Sequence, residues 1–512
     1  MIIYLYMTIW LLLSFFICGD RCLIDFNPNR SRPQLDTFFM SESGNFMVHY
    51  DLSDENGNLP IEGDENQNYI PDYIELVADV AEESRALLIN TMGYLEEPDD
   101  GDGIHDIYIK NQGVWGKNTV ENSITGASYT TIDNDYQFFS NYCTSPIQKM
   151  KVSVAHEYFH AVQRAYRPNP FSDHDFLLEM TSMWFEDVIY DDCNDYLAFT
   201  YDPDGIFSNV TQKFDGSDSS SQANFGYSMA LFAHYLSRII DEEGLDSQFN
   251  STIIRRIWQN YSTGMSARDA IISTIEQDFN DSFARAWSEF ISRSLFCGHF
   301  PYFNESMYYH KDQQLIMPIN FSDINSTIIY PNTNNSYDLS IDPYSATISK
   351  FVPYSDIFIE TIFPINVFKG YNIVKSFNGG IIDYIDSNLY IDNIDNGDLY
   401  YIVLTSLQSS QVSTEVLIKS DKNEITIYPN PIFSGNELIL KLGVSDINSS
   451  LRIDIYDVLG RKISSLKIDD LQLGINYFNL KTDDYLNSSG VYFLKVFQNK
   501  KEYSSKIVFV KN

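Results

Sequence analysis

The spacing of apolar residues changes once along this 512-residue chain, near residue 310, and that change limits the folds open to it. Between residues 145 and 300 apolar side chains recur every three or four positions, as in FLLEMTSMWFEDVIY, GYSMALFAHYLSRII and DSFARAWSEFISRSLF. That period gathers them on one face of a helix. Beyond residue 310, short runs rich in Ile, Tyr, Thr and Ser (SATISKFV, DIFIETIF, DLYYIVLTSL) alternate with Asn, Asp and Gly turns, the pattern of strands. Upstream, residues 40–135 open with a strand-like GNFMVHYDL and hold one helix, YIELVADVAEESRALLINTMGY. A polar patch, KSDKNE, separates a second β region that runs to the end. The expected fold is α+β and multidomain: a mainly helical domain over 21–305, then two all-β, sandwich-like domains over 306–420 and 424–512.

The first twenty residues, MIIYLYMTIWLLLSFFICGD, form an apolar run ending in small and polar residues, as a signal peptide does. No Lys or Arg precedes the run, which makes a single N-terminal membrane anchor the runner-up. No later segment is long and apolar enough to span a bilayer. The chain reads as exported. A net charge of −36 excludes binding to nucleic acid or anionic membrane by general electrostatics, because both carry phosphate. Of five cysteines, Cys18 leaves with the signal. Cys22, Cys143, Cys193 and Cys297 allow three full pairings. Cys143 and Cys193 bracket one segment closely and favour a bond there, with buried free thiols equally open.

That bracketed segment is VAHEYFHAVQ, residues 154–163. On a helix His156 and His160 leave the same face one turn apart, able to hold one Zn²⁺ and leave room for a third ligand and a water. A chain with eight histidines contains H-E-x-x-H by chance about once in a hundred such sequences. Glu157 flanks the metal without needing to bind it. It can act as general base, taking a proton from a zinc-activated water as that water attacks a carbonyl and passing it to the leaving amine. Oxyanion stabilisation needs a further donor, for which Tyr227, His234 and Tyr166 are candidates, Tyr227 first.

Downstream, Glu179 in FLLEMTSMWFEDV follows His160 with eighteen residues between. This H-E-x-x-H-x18-E arrangement resembles the gluzincin metallopeptidases, in which a glutamate on the next helix completes the zinc site. EMTSMWFED is similar to the E-x-x-A-x-W-x-E-D run of a group of exported bacterial metallopeptidases carrying HEFFHA(V/I)Q motifs. The resemblance covers residues 40–300 and implies a zincin-like catalytic domain with His156, His160 and Glu179 as zinc ligands. Several gluzincins place an acidic residue four after the ligand glutamate; here that position is Met183. Glu186, at i+7 from Glu179, is expected to hold a histidine instead. The plainer reading is two satisfied helix histidines and a solvated glutamate.

DENQNYIPDYIE, residues 64–75, sets Asp64, Asn66 and Asn68 at loop positions 1, 3 and 5, the Ile70 carbonyl at 7, Asp72 at 9 and Glu75 at 12. That is the ligand order of an oxygen-lined Ca²⁺ loop, with Tyr69 where glycine is expected. An Asp/Asn-rich capping turn is the alternative. Asp100, Asp102 and Asp106 form a weaker second candidate.

The tail carries ITIYPNPIFSGNELILKL, LRIDIYDVLGRKI and SGVYFLKVFQNKKEYSSKIVFVKN. These blocks resemble, in order, the type A C-terminal sorting domain of the type IX secretion system. The resemblance implies recognition by that secretion machinery, translocation across the outer membrane, and release or surface attachment. Together these features point to a secreted zinc metallopeptidase acting on a peptide or protein substrate. The alternative is an exported binding or adhesion protein whose peptidase-like domain is inactive.

Overall fold

The computed structural model describes residues 31–511 apart from 139, 171–173, 201, 209–211, 299–303, 317–324, 330–333, 354–356, 363–369, 376–379, 385–388, 392–398, 421–424, 445–449, 472–473 and 499–500. The expected signal peptide and Cys22 lie outside the described residues. The chain divides into two compact units, the first holding the described residues up to 298 with 305–316, the second residue 304 and those from 325 onward.

The first unit opens with a five-stranded mixed sheet: β1 (Thr37–Met40), β2 (Phe46–Tyr50), β3 (His105–Lys110), β4 (Gly116–Val120) and β5 (Ser128–Asp133). Their spatial order is β1-β2-β3-β5-β4, which leaves β4 at an edge, antiparallel to β5. β2 and β3 are parallel, so the chain must cross over between them, and helix α1 (Asp72–Arg85) lies in that connection.

Helix α2 (Pro146–Tyr166) is the centre of the unit. Its start is specified locally: Ser145 and Gln148 form a reciprocal capping box, and Pro146 takes the first turn, where its missing N–H costs nothing. α2 packs on α1, on β4 and β5, and on helix α3 (Asp175–Ile189). Contact on several sides buries nearly every residue from Lys149 to Arg164. α3 is buried from Phe176 to Asp187 and mostly apolar all round, its buried polar side chains being Glu179, Thr181, Ser182, Glu186 and Asp187. Two short helices, α4 (Gln222–Ser228) and α5 (Ala230–Tyr235), cover it. Amphipathic helices α6 (Ile253–Ser262), α7 (Ala267–Ser273) and α8 (Phe283–Ser294) complete the unit.

A disulfide joins Cys143, just before α2, to Cys193, just after α3, with Cα atoms 4.7 Å apart. It closes a 50-residue separation around the α2–α3 pair. In the chain-entropy account such a loop is stabilised by about 4 kcal/mol. Cys297 is a buried free thiol.

One boundary differs from the sequence expectation. The segment around Tyr309–Gln313, read as the start of the β region, packs on the helical unit. Tyr309 lies against Phe290 of α8, Gln313 donates to the Arg293 carbonyl at 3.0 Å, and His310 reaches Asp187 of α3. The segment has no helical period, so its long-range anchoring left no local signal.

The second unit contains two separate cores. A five-stranded and a four-stranded sheet within 325–420 enclose Ile341, Phe351, Ile359, Tyr400, Ile402 and Val416. A three-stranded and a five-stranded sheet within 426–510 enclose Leu440, Ile453, Leu494, Val496 and Ile507. In each, apolar residues alternate inward along the strands, as sheets packed face to face require.

Candidate metal centre

His156 and His160 stand one turn apart on α2 with ring centroids 4.7 Å apart. α3 brings Glu179 to them: its Oε2 lies 3.0 Å from His156 Nε2 and 3.5 Å from His160 Nε2. All three side chains are buried. The outer ring nitrogens decide what the inner ones offer. His156 Nδ1 is 3.0 Å from Glu186 Oε2, a carboxylate that accepts, so Nδ1 carries the proton. His160 Nδ1 is 2.9 Å from Gln163 Oε1. The Gln163 amide cannot face the other way, because its nitrogen, with two protons to give, is set among three oxygens, Leu178 O, Thr181 Oγ1 and Ser182 Oγ, at 2.9–3.0 Å. Both imidazoles therefore turn Nε2 lone pairs toward Glu179, and His160 Nε2 makes no hydrogen bond. Three buried acceptors facing one another need a cation between them, a proton or a metal.

Electrostatics agree. With a proton as the cation, burial favours the neutral form of Glu179, but the protonated imidazoles outweigh it and hold the carboxyl down to about 2. Burial lowers the pKa of His156; for His160 the Glu179 charge more than offsets burial, and the net shift is upward. Two imidazole nitrogens and a carboxylate oxygen, each imidazole braced by an acceptor behind it, fit the chemistry of a zinc site.

Glu157 is 1% exposed and lies where edge strand β4 crosses α2. A Cβ at Gly116 would stand 2.5 Å from Glu157 Cγ and 2.6 Å from Oε1, so only glycine lets the strand this close. The approach is pinned from behind: the Trp115 carbonyl accepts from the Tyr136 hydroxyl at 2.8 Å and from the Asp133 amide at 3.2 Å. On the other side Gly226 of α4 rests against Glu179, where a Cβ would meet the Glu179 Cβ at 2.8 Å. The next residue, Tyr227, sets its ring 6.1 Å from that of His156.

The structure thus brings together His156, Glu157, His160, Glu179, Glu186 and Tyr227. Two of the oxyanion candidates go elsewhere. His234 turns to Asp187, and the Tyr166 hydroxyl accepts from the Leu95 amide at 3.0 Å. Sequence reasoning missed Gln163, although its position three after His160 on the same helical face was a usable signal.

In the acidic loop, Asp64 accepts from the Asn68 and Tyr69 amides at 3.0 Å, and Asn66 and Asn68 donate to Glu75 at 3.0 and 2.7 Å. Asp72 accepts from the Glu65 amide at 3.1 Å. Asn66 and Asn68 of the turn thus reach Glu75 on α1, Asp64 holds the turn's backbone, and Asp72 bonds separately to the Glu65 amide. Tyr69 holds the left-handed conformation expected of glycine, with φ 71°. Asp106 of the second acidic stretch pairs with His49, and it shares the Arg32 guanidinium with Asp100, so the cation between those two carboxylates is an arginine side chain.

Residues 426–511 match the family model described as the secretion system C-terminal sorting domain. The tail is a type IX sorting domain, and it directs the chain out of the cell, to the surface or the medium. No curated protein matches the chain. Among solved structures, the adhesin domain of Epf from Streptococcus pyogenes aligns over 35% of this chain and 73% of its own, at 12% identity and a TM-score of 0.14. A β-glucuronidase from Ruminococcus gnavus aligns over 35% of this chain and 37% of its own, at 8% identity and a TM-score of 0.14. One from Lactobacillus rhamnosus aligns over 35% and 36%, at 9% identity and a TM-score of 0.13. The chain spans little more than a third of either glucuronidase, and scores this low inform neither fold nor activity.

Proposed function

We propose that the first unit is a zinc-dependent peptidase that hydrolyses peptide bonds of peptides or proteins outside the cell. One observation carries the reading: the His156, His160 and Glu179 acceptors converge with no donor among them, while Glu186 and Gln163 fix both histidine tautomers. His156, His160 and Glu179 would hold the ion, which when bound lowers the pKa of a water toward 7 and polarises a substrate carbonyl. The chain's own residues do the rest. Glu157 takes the proton of the attacking water and returns it to the leaving amine. Tyr227, beside His156, donates to the oxygen on which charge develops. Glu186 and Gln163 keep both rings oriented and their Nε2 atoms unprotonated.

Burial favours a second reading. His156, Glu157, His160 and Glu179 are each no more than 3% exposed, and closed sites are characteristic of structural zinc. In that case the unit is a zinc-clamped scaffold of an exported binding or adhesion protein.

Glu157→Gln separates the two. Wild type should hold about one zinc, and His160→Ala should lose it. Glu157→Gln should keep fold and zinc while peptide hydrolysis falls about 10²–10⁴-fold. A folded wild type that takes up no zinc ends both readings. Hydrolysis by Glu157→Gln at the wild-type rate ends the mechanism, and a zinc-loaded wild type that cleaves nothing in a diverse peptide library leaves the scaffold.

A further inference from the structure

A second buried carboxylate–histidine cluster shares α3 with the first. Asp187 follows Glu186 directly, and its Oδ2 lies 3.2 Å from His234 Nε2 of α5 and 3.1 Å from His310 Nε2. All three side chains are buried, and the two rings meet edge to face with centroids 4.1 Å apart. By residue type this set could ligate a metal as readily as the first.

The outer nitrogens contradict that. His310 Nδ1 accepts from the backbone amide of Asp312 at 2.9 Å. An amide N–H can only donate, so Nδ1 carries no proton and the neutral ring has its proton on Nε2. His234 Nδ1 lies 2.9 Å from Gln248 Nε2, nearer than to Gln248 Oε1 at 3.3 Å. That amide is oriented by Ser237 Oγ, 2.7 Å from the same nitrogen. The single hydroxyl proton of Ser237 goes to the Ala233 carbonyl at 2.8 Å, so Ser237 must accept from Gln248. His234 Nδ1 is then also an acceptor, and its proton too sits on Nε2. His310 thus donates its N–H to Asp187 at 3.1 Å, while the His234 N–H, 3.2 Å from the same oxygen, lies off the hydrogen-bond line. With its amide nitrogen turned toward them, Asn194 donates to Asp187 Oδ1 at 3.0 Å and to Asp312 at 3.2 Å. The carboxylate is supplied with donors on both oxygens and leaves no lone pair of either ring for a metal. The two clusters are opposites: acceptors stand behind the histidines of the first, donors behind those of the second.

We propose that Asp187, His234 and His310 form a metal-free lock that fixes the C-terminal half of α3 and, through Glu186, the zinc-binding orientation of His156. The positioning half rests on the zinc reading; the metal-free half does not. Residue 310 is thereby part of the scaffold of the site, 123 positions from its partner on α3.

The test uses the full chain. Zinc counting should find about one ion in wild type and none in His160→Ala, even with zinc in excess. An ion retained by His160→Ala and lost on adding Asp187→Asn would make the cluster a metal site and overturn the lock. Competition with a chromophoric chelator should find zinc held about tenfold more weakly by His310→Ala, the low end of what supporting residues contribute to metal affinity. His310→Gln, whose amide can still donate to Asp187, should restore most of it. Unchanged affinity in a folded His310→Ala would overturn the positioning role. Should His310→Ala not fold, Asp187→Ala replaces it: it removes the oxygen that both imidazoles face, and unchanged zinc affinity there overturns the role equally. If wild type binds no zinc, the peptidase reading fails and the lock is judged by melting temperature alone. His310→Ala should then melt below His310→Gln, and equal temperatures would overturn it.

Discussion

Replacing Gly116 with alanine should destabilise the first unit through one contact. The new Cβ would stand 2.5 Å from Glu157 Cγ, 2.6 Å from Oε1 and 2.9 Å from Cδ. Carbon–carbon contacts are optimal at about 3.5–4.0 Å, so about 1 Å of overlap must be relieved. Neither side yields easily. Residue 116 is paired to Ile132 in the sheet, the Trp115 carbonyl before it is held by Tyr136 and Asp133, and Glu157 is buried. Overpacking of this kind costs about 1–3 kcal/mol, or about 2–4 °C of melting temperature per kcal/mol in a unit of this size. Because Glu157 would be displaced, hydrolysis should also fall, by about 10²-fold for a shift near 1 Å. The decisive assay is a double-mutant cycle followed by the helical circular dichroism signal. Glu157→Ala removes all three clashing atoms, so adding Gly116→Ala to it should cost almost nothing, a coupling of about 1–3 kcal/mol. An equal penalty in both backgrounds, or none in wild type, would show that Glu157 is not what demands glycine at 116.

Acid should weaken the Asp187 lock in two stages. Burial, with His234 nearby, presses His310 from 6.5 down to about 4. Between those values the unfolded chain binds the extra proton, so stability falls as pH falls, by up to about 1.4 kcal/mol per pH unit. Against its burial, Asp187 is held well below the usual carboxylate range by both histidines, so its contribution stands above about pH 4 and is lost on further acidification. Denaturant melts from pH 7 to pH 4 should show the first stage flattened in His310→Gln; identical slopes would refute the assignment. Removing Ca²⁺ with zinc restored should lower the melting temperature, by about 2.7 kcal/mol of stability at a free concentration a hundredfold above Kd. Asp64→Ala with Asp72→Ala should abolish that shift, and identical curves with and without Ca²⁺ would make the loop a capping turn. Deleting residues 424–512 should leave the protein in the cell envelope of a host with the type IX system, and undiminished secretion of the truncated chain would assign the tail another role.

Much of the candidate site was legible because it is local. Four positions along a helix is one turn, so HEYFHAVQ by itself sets His156 beside His160, with Glu157 to one side and Gln163 behind. The tail was legible for a similar reason: its strands alternate in neighbouring hairpins and its blocks keep their order. The fates of Tyr227 and His234 were not. Seven residues apart, they would share one face of an unbroken helix, and GYSMALFAHYL reads as one. The chain breaks it at Met229, where ψ is −4°, into α4 and α5. The break changes the phase, sending Tyr227 toward His156 and His234 toward Asp187.

Sequence alone determined which donors this chain can offer and their spacing within each element, because covalent geometry and the 3.6-residue turn set both. Only the tertiary structure decided what those donors are for. Asp187, His234 and His310 have the same residue types as a metal site, as do His156, His160 and Glu179. What tells them apart is the atom behind each ring: Glu186 and Gln163 in one case, the Asp312 amide and Gln248 in the other. Two of these four contacts are local, three and two residues from the ring, and the other two span 30 and 14 residues and exist only after packing; an imidazole's tautomer follows from whichever partner the fold supplies.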